Sequence, residues 1–488
     1  MQFLQHHARV GRRACILTTC LLSILASAQV AQRTGQNSIT RQQAAQQAAI
    51  AAGDTDRVAQ ASQTLIAACL REFAGLRLLA GDNAEAIAIE RQALELDNSN
   101  TRRLDLARLL ATAGKLAEAE QLVDAVLVSN PHDPVARRLQ SSLNRRSVRP
   151  APPVSETPAN RRREGHLRRI LAVAYNDWGT TQAKNGDYHG ALGLFSEGEH
   201  WDPTAPGLMR NLGMAAFQLG DYASSAGAFT AALEGEGGQN SAERGKVEVL
   251  LGLSQFLQKQ YDPAAKAFGS APDATFSDAH ATYAWAFSLA HLNNPQQARS
   301  VLARLVTMPI SPSERALACQ VYDQIEAYEE SVACFKRVLR EDGNVARAHF
   351  ELGVALIHLG LPAKAIPELR AEATLGDKQP EVAYYLAYAL NETQEKNEAE
   401  QLLQRLVERQ PNYTEAQYLL GKILLEKGDA KNSIRHLEQA ATIAPDEPFI
   451  HYQLQLAYKR DGRETDATRE MQIYSQLKAK ARSSPAKR

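Results

Sequence analysis

The chain is 488 residues long, too many for one ordinary hydrophobic core, so several domains or an array of repeats is expected. Lysine plus arginine and aspartate plus glutamate each number 55, so no global field argues for nucleic acid as a partner. Hydrophobic residues at 44% and charged residues at 23% suit a folded chain, and aromatics at only 6% beside abundant alanine favour closely packed helices.

In chain order, the N-terminus reads as an export signal. Arg12 and Arg13 precede an apolar run from Ala14 to Leu25, and Ala26-Ser27-Ala28 supplies a small-x-small end, so cleavage is expected after Ala28. Residues 1–28 carry no acid, and their loss leaves a slightly acidic chain. The run is short for a bilayer, Leu17-Thr18-Thr19-Cys20 is a poor lipoprotein box, and nothing later is long and apolar enough to cross a membrane. The reading is therefore an exported protein, periplasmic or extracellular, with no span after cleavage. Cys69, Cys319 and Cys334 then remain in an oxidising compartment, and an odd number leaves at least one free or paired between chains.

Residues 29–39 read as disordered, with helix from near Thr40. Residues 40–146 read as N-terminal helical repeats, 147–165 as a linker rich in Pro and Arg, 166–482 as the main array and 483–488 as a basic tail. Pro150, Pro152, Pro153 and Pro158 carry the linker reading, because proline breaks a helix interior.

The array shows a period near 34 residues. Cys319, Gly353, Ala387 and Gly421 form one column at that spacing, and Ser331, Ala365, Ala399, Ser433 and Ala467 form a second. Gly343, Asp377, Pro411 and Pro445 form a third, where one unit must turn into the next. Two columns of small residues 12 apart are expected to face each other where antiparallel helices cross closely.

This pattern resembles the tetratricopeptide repeat. One unit carries Tyr175, Trp178-Gly179, Gly186-Asp187-Tyr188, Ala191, Phe195 and Pro203. The next has Leu212-Gly213, Gly220-Asp221-Tyr222, Phe229 and Ala232, and a third has Leu251-Gly252, Tyr261, Ala264, Phe268 and Ala271. About nine units fit between 172 and 481, and two more precede the linker, with a degenerate one at Gly53-Asp54. The resemblance implies an all-α, right-handed α-solenoid of tandem helix-turn-helix repeats, closed by a last unit with Gln455 in the small column. How the N-terminal repeats sit against the main array is not encoded in the repeat pattern.

No catalytic or metal-binding constellation stands out: there is no H-E-x-x-H, no P-loop and no G-x-S-x-G elbow, so no enzyme activity, metal or cofactor is expected. His349 and His358 read as surface or groove histidines. Cys319 reads as a small buried hydrophobe; Cys334 could pair with it across the hairpin, but the offset is about one turn out of register, so the sequence leaves the disulfide open.

In this family the first helix of each pair lines the concave wall. The resemblance therefore implies a partner-binding groove of Asn176, Arg210, Phe217, Phe256, Tyr283, Phe287, Phe350, Tyr384, Tyr388, Asn391, Tyr418, Lys422, Tyr452 and Lys459. Rings offer large contact area at small entropic cost, while Asn and Lys can bond a peptide backbone. The Lys and Asn set of chaperone-tail binders is absent, so such tails are not implied. The implied function is a non-catalytic scaffold or adaptor in the cell envelope, holding an extended peptide or partner protein. The alternative is a binding subunit for an envelope polysaccharide or for its synthesis or export machinery.

Overall fold

The structure is a computed structural model that describes residues 38–145, 157–235, 241–375 and 379–483. The export signal, most of the linker, residues 236–240 and the tail from 484 lie outside the described residues. Among the described residues every regular element is a helix, which establishes the all-α repeat solenoid expected from the columns. The chain divides into two compact units, Met1–Gln260 and Tyr261–Arg488.

The first unit runs α1 (38–52), α2 (Thr55–Ala80), α3 (Asn83–Leu96), α4 (Asn100–Thr112), α5 (Leu116–Ser129), α6 (Pro134–Asn144), α7 (Pro158–Lys184), α8 (Tyr188–Trp201), α9 (Leu208–Gln218), α10 (Tyr222–Gly235) and α11 (Ser241–Leu257). The second runs α12 (Tyr261–Ser270), α13 (Pro272–Thr275), α14 (Ala279–His291), α15 (Pro295–Leu305), α16 (Pro312–Gln324), α17 (Tyr328–Glu341), α18 (Ala348–His358), α19 (Pro362–Thr374), α20 (Pro380–Glu392), α21 (Lys396–Arg409), α22 (Thr414–Glu426), α23 (Ala430–Ile443), α24 (Pro448–Arg460) and α25 (Glu464–Ser483).

A two-residue device closes many of the hairpins. Between α22 and α23, Gly428 takes φ 95 and ends the first helix, while Asp429 caps the second by accepting from Asn432 N. Glycine adopts that left-handed turn without a Cβ penalty, and the carboxylate satisfies an N–H that the helix leaves unpaired. Gly186-Asp187 does the same before α8. Where a repeat lacks the glycine, the residue is left-handed all the same: Asn293, Glu326 and Gln394 have φ 55, 59 and 68.

The small columns meet at the helix crossing, with one refinement. Ser433 Oγ donates to the Gly421 carbonyl at 2.7 Å, as two facing columns predict. The open face of the glycine, however, receives the large side chain four residues further along. A Cβ on Gly353 would lie 2.6 Å from Leu369 Cγ, and one on Gly179 would lie 2.6 Å from Phe195 Cε1. The first column is small to admit a buried leucine or phenylalanine, which then fills the hairpin core.

The same crossing buries Cys319, as its place in the small column implies, and decides the pairing that the sequence leaves open. Its Cα lies 5.5 Å from that of Cys334, and the two form a disulfide. Cys334 directly precedes Phe335, the large residue that packs opposite the small column, so its backbone is already within bonding reach. Cys69 is free and buried, and burial, with the Glu72 carboxylate adding, pushes its thiol up to about 12.

The linker reading also needs a correction. Helix α7 starts at Pro158 behind a Thr157 cap, so residues 158–165 are helical. Proline is tolerated there because the first helical residue has no N–H partner to lose. The extra turns lie against α2. Glu72 takes Arg163 through two bonds of 2.5 and 2.8 Å, Arg77 meets Glu164, and Phe73 meets Trp201 edge-on at 5.2 Å. The other flank of α2 serves α4: Arg102 donates to the Ala67 carbonyl at 2.7 Å, and Arg71 pairs with Asp105 at 2.7 Å. The α2/α3 hairpin is thus held between α4 and α7, and the first repeats fold back onto the helix that follows the linker.

Candidate functional site

The residues singled out in the sequence fall into both units. In the first, Asn176 is buried at 9% exposure and accepts from Asn211 Nδ2 at 2.9 Å, which ties α7 to α9. Arg210 reaches Glu243 at 3.6 Å, Phe217 packs edge-on against Tyr222 at 5.5 Å, and Phe256 is half-buried near the end of α11. The Asn176, Arg210 and Phe217 contacts join neighbouring helices.

The second unit does bring its named residues together. Phe350, Tyr384, Tyr418 and Tyr452 occupy one position, 34 residues apart, on the successive first helices α18, α20, α22 and α24. Around Tyr384 the rings of Tyr385, Tyr413 and Tyr388 stand at 5.3, 5.6 and 6.5 Å. Tyr418 meets Phe449 at 4.9 Å, with Lys422 half-buried one turn on, and Tyr452 meets Tyr474 at 5.4 Å. Further back, Tyr283 and Phe287 on α14 lie 5.9 Å apart, and Phe287 stacks on His291 at 4.2 Å.

Not every named residue offers a surface. Phe350 is buried, edge-on to Tyr385 at 5.6 Å and beneath the Arg347 guanidinium at 4.4 Å, so it pads the helix contact. Asn391 is buried too, at 5% exposure, and its Oδ1 has no hydrogen-bond partner. Lys459 belongs to a different place, a hollow of about 560 Å³ between α24 and α25 that it lines with Gln455, Thr468 and Met471. The two histidines serve structure: His349 pairs with Glu368 at 2.7 Å, and His358 stacks on Tyr328 at 4.8 Å.

Sequence reasoning missed four members of the cluster, Tyr385, Tyr413, Glu381 and Glu415. The acids had a signal, since they lie 34 residues apart and each stands three residues before a tyrosine of the stripe. Tyr413 had none, because it precedes α22 as its N-cap residue, outside any helical period. The acids set the field around the rings. Burial first, and then Glu351, Glu415 and Glu381, push the Tyr385 phenol up, and burial with Glu415 and Glu381 does the same for Tyr413. Burial leads for Tyr384 as well, pushed up to about 12. These phenols remain neutral donors across the physiological range.

Among the described residues, no group of His, Cys, Asp or Glu is arranged to hold a metal ion. No described helix is long and apolar enough to cross a membrane.

Two family models described as tetratricopeptide repeat match the chain, one over residues 77–143 and the other over 176–242, 320–380 and 384–448. No curated protein sequence matches it. Among solved structures, a crystal structure of MamA protein is similar at 24% identity and a TM-score of 0.33, over 36% of this chain and 97% of that one. MamA from Desulfovibrio magneticus RS-1 gives 19% and 0.34, over 36% and 100%. YrrB, described as a TPR protein with an unusual peptide-binding site, gives 18% and 0.31, over 34% and 84%.

Proposed function

This chain belongs to the tetratricopeptide-repeat superfamily, and from that premise we propose that it is a non-catalytic scaffold that holds a partner protein along the first helices of its second unit. The observation that carries the reading is the ring cluster of Tyr384, Tyr385, Tyr388 and Tyr413, half-buried and joined across successive helices. Stiff rings lose little entropy on binding and present both an apolar face and a polar rim. An extended segment laid across them gains contact from each repeat in turn, as stacked units with a shared face favour. Tyr283, Phe287, Tyr418, Lys422 and Tyr452 extend the proposed wall along α14, α22 and α24.

The reading includes export. Arg12-Arg13, the apolar run and Ala26-Ser27-Ala28 support it, and so does the Cys319–Cys334 bond, since disulfides persist in oxidising compartments. An envelope polysaccharide is the second guest such a wall suits, because tyrosine faces also stack on sugar rings.

The test is capture from an envelope extract with the intact protein as bait, beside a bait carrying Tyr384→Ala and Tyr388→Ala. The expected result is a protein partner retained by the first and lost by the second, with unchanged helical circular dichroism. Retention by both baits moves the site off the ring cluster, and recovery of glycan alone favours the polysaccharide.

A further inference from the structure

We infer that the wall of the second unit selects a cationic segment, an extended partner chain whose lysine or arginine seats among Tyr384, Tyr385 and Tyr413 between the carboxylates of Glu381 and Glu415. This rests on the scaffold reading above and adds the chemistry of the guest.

Three observations carry it. The first is the rings. Tyr385 and Tyr413 stand edge-on to Tyr384 at interplanar angles of 73 and 64°, so neither covers its ring face to face. Aromatic faces attract an ammonium or guanidinium, and the attraction grows where water is excluded. Arg347 over the Phe350 ring, at 4.4 Å, is the same contact made within the chain one repeat earlier.

The second is the unanswered charge. Glu381 and Glu415 hold the same position on α20 and α22, and among the described residues neither is paired with a lysine or arginine. Glu381 Oε2 is buried with no hydrogen-bond partner. A carboxylate oxygen in that state is costly, and a guest that supplies N–H donors removes the cost. Arg347, which holds the position of Glu381 one repeat earlier, is already engaged with Glu351 at 3.7 Å. Glu381 stands one helical turn before Tyr385 on α20, and Glu415 follows Tyr413 by two residues at the start of α22, so rings and carboxylates occupy neighbouring first turns.

The third is the kind of atom left over. Among the described residues of α20, the buried side-chain atoms without partners are Glu381 Oε2 and Asn391 Oδ1, both acceptors. Asn391 lies on the same face of α20 as Tyr384 and Tyr388, at helical spacings of four and three. Two acceptors left unanswered on the helix that carries Tyr384 and Tyr385 fit a guest that brings donors. An anionic guest would meet the carboxylates with little beyond Lys422 to offset them.

The test uses the full chain and short fluorescein-labelled peptides identical except at two central positions, which carry lysine, arginine, glutamine or glutamate. Anisotropy titration is expected to rank lysine and arginine at least about tenfold tighter than glutamine, with glutamate weakest, and the preference should shrink with added salt. The double change Glu381→Gln with Glu415→Gln preserves shape and removes charge, and it should abolish that preference while the thermal melt stays in place. Equal binding of the lysine and glutamine peptides overturns the inference, and so does a lysine preference that survives the double change. If all four peptides bind alike and Tyr384→Ala with Tyr388→Ala abolishes binding, the scaffold reading stands and only the cation preference fails. If no peptide of any charge binds, both fall, and binding of an envelope glycan in their place would say the same.

Discussion

At the residue scale, Asp323 shows how the stripe stores a measurable tension. It occupies on α16 the position that Asn391 occupies on α20, and both of its carboxylate oxygens are buried. Burial, partly offset by the Ser331 hydroxyl and reinforced by Glu351, raises its carboxyl to about 7. The unfolded chain releases that proton near about 3.9. Between those values the folded state holds a proton that the unfolded state has lost, so this group makes stability fall as pH rises from about 4 to about 7. Asp323→Asn should match the parent near the lower limit and exceed it above the upper one by about 2 kcal/mol, solvent screening reducing the full effect at this part-exposed site. Denaturant melts at both limits check it, and an equal gain at each would contradict it. Much of this scale was legible. The tyrosine stripe follows from counting 34, whereas the burial of Phe350, Asn176 and Asn391 does not. Whether a ring meets solvent or its neighbour depends on the side chain one repeat away, as Tyr385 shows against Phe350.

At the element scale, the helices were legible because composition and turn chemistry agree. Gly-Asp ends one helix and begins the next, and the period carries the position forward even where the glycine is missing. Gln394 keeps the left-handed turn at φ 68 with an exposed side chain, and a non-glycine residue pays strain there. Gln394→Gly should therefore raise the guanidinium midpoint of the second unit, with a gain of about 0.5–1 kcal/mol once the extra freedom of glycine in the unfolded chain is subtracted. An unchanged or lowered midpoint would show that the turn is unstrained. Two things escaped the periodic reading. Pro158 looked like linker but begins a helix, since the same residue that breaks an interior is welcome in a first turn. The Cys319–Cys334 bond stays undecided on helical offset alone, because the offset does not say how closely a small-residue crossing draws two backbones.

At the scale of the molecule, the return of the first repeats onto α7 was illegible. A repeat period reports what each hairpin does to the next, and it is silent on a contact between helices separated by a linker. The contact is made of specific side chains. Arg163 grips Glu72 with both ends of its guanidinium, and Phe73 is fully buried against Trp201, with the Arg168 guanidinium 5.0 Å from its ring. Deleting such a phenylalanine typically costs about 3–5 kcal/mol. A protease site inserted between residues 146 and 156 should therefore leave the two fragments co-eluting on size exclusion after cleavage. Glu72→Ala with Phe73→Ala should let them part. Separation on cutting alone would mean that the covalent link, not the packing, holds them.

Protein synthesis gives this contact a timetable. The ribosome delivers α2 long before the helix and the tryptophan that cover its flank, so the nascent chain carries an unshielded phenylalanine through most of the intervening translation. The earliest repeats to form are completed only after α7 and α8 have been delivered, and a message truncated ahead of Pro158 yields a product with a sticky side that no later residue conceals.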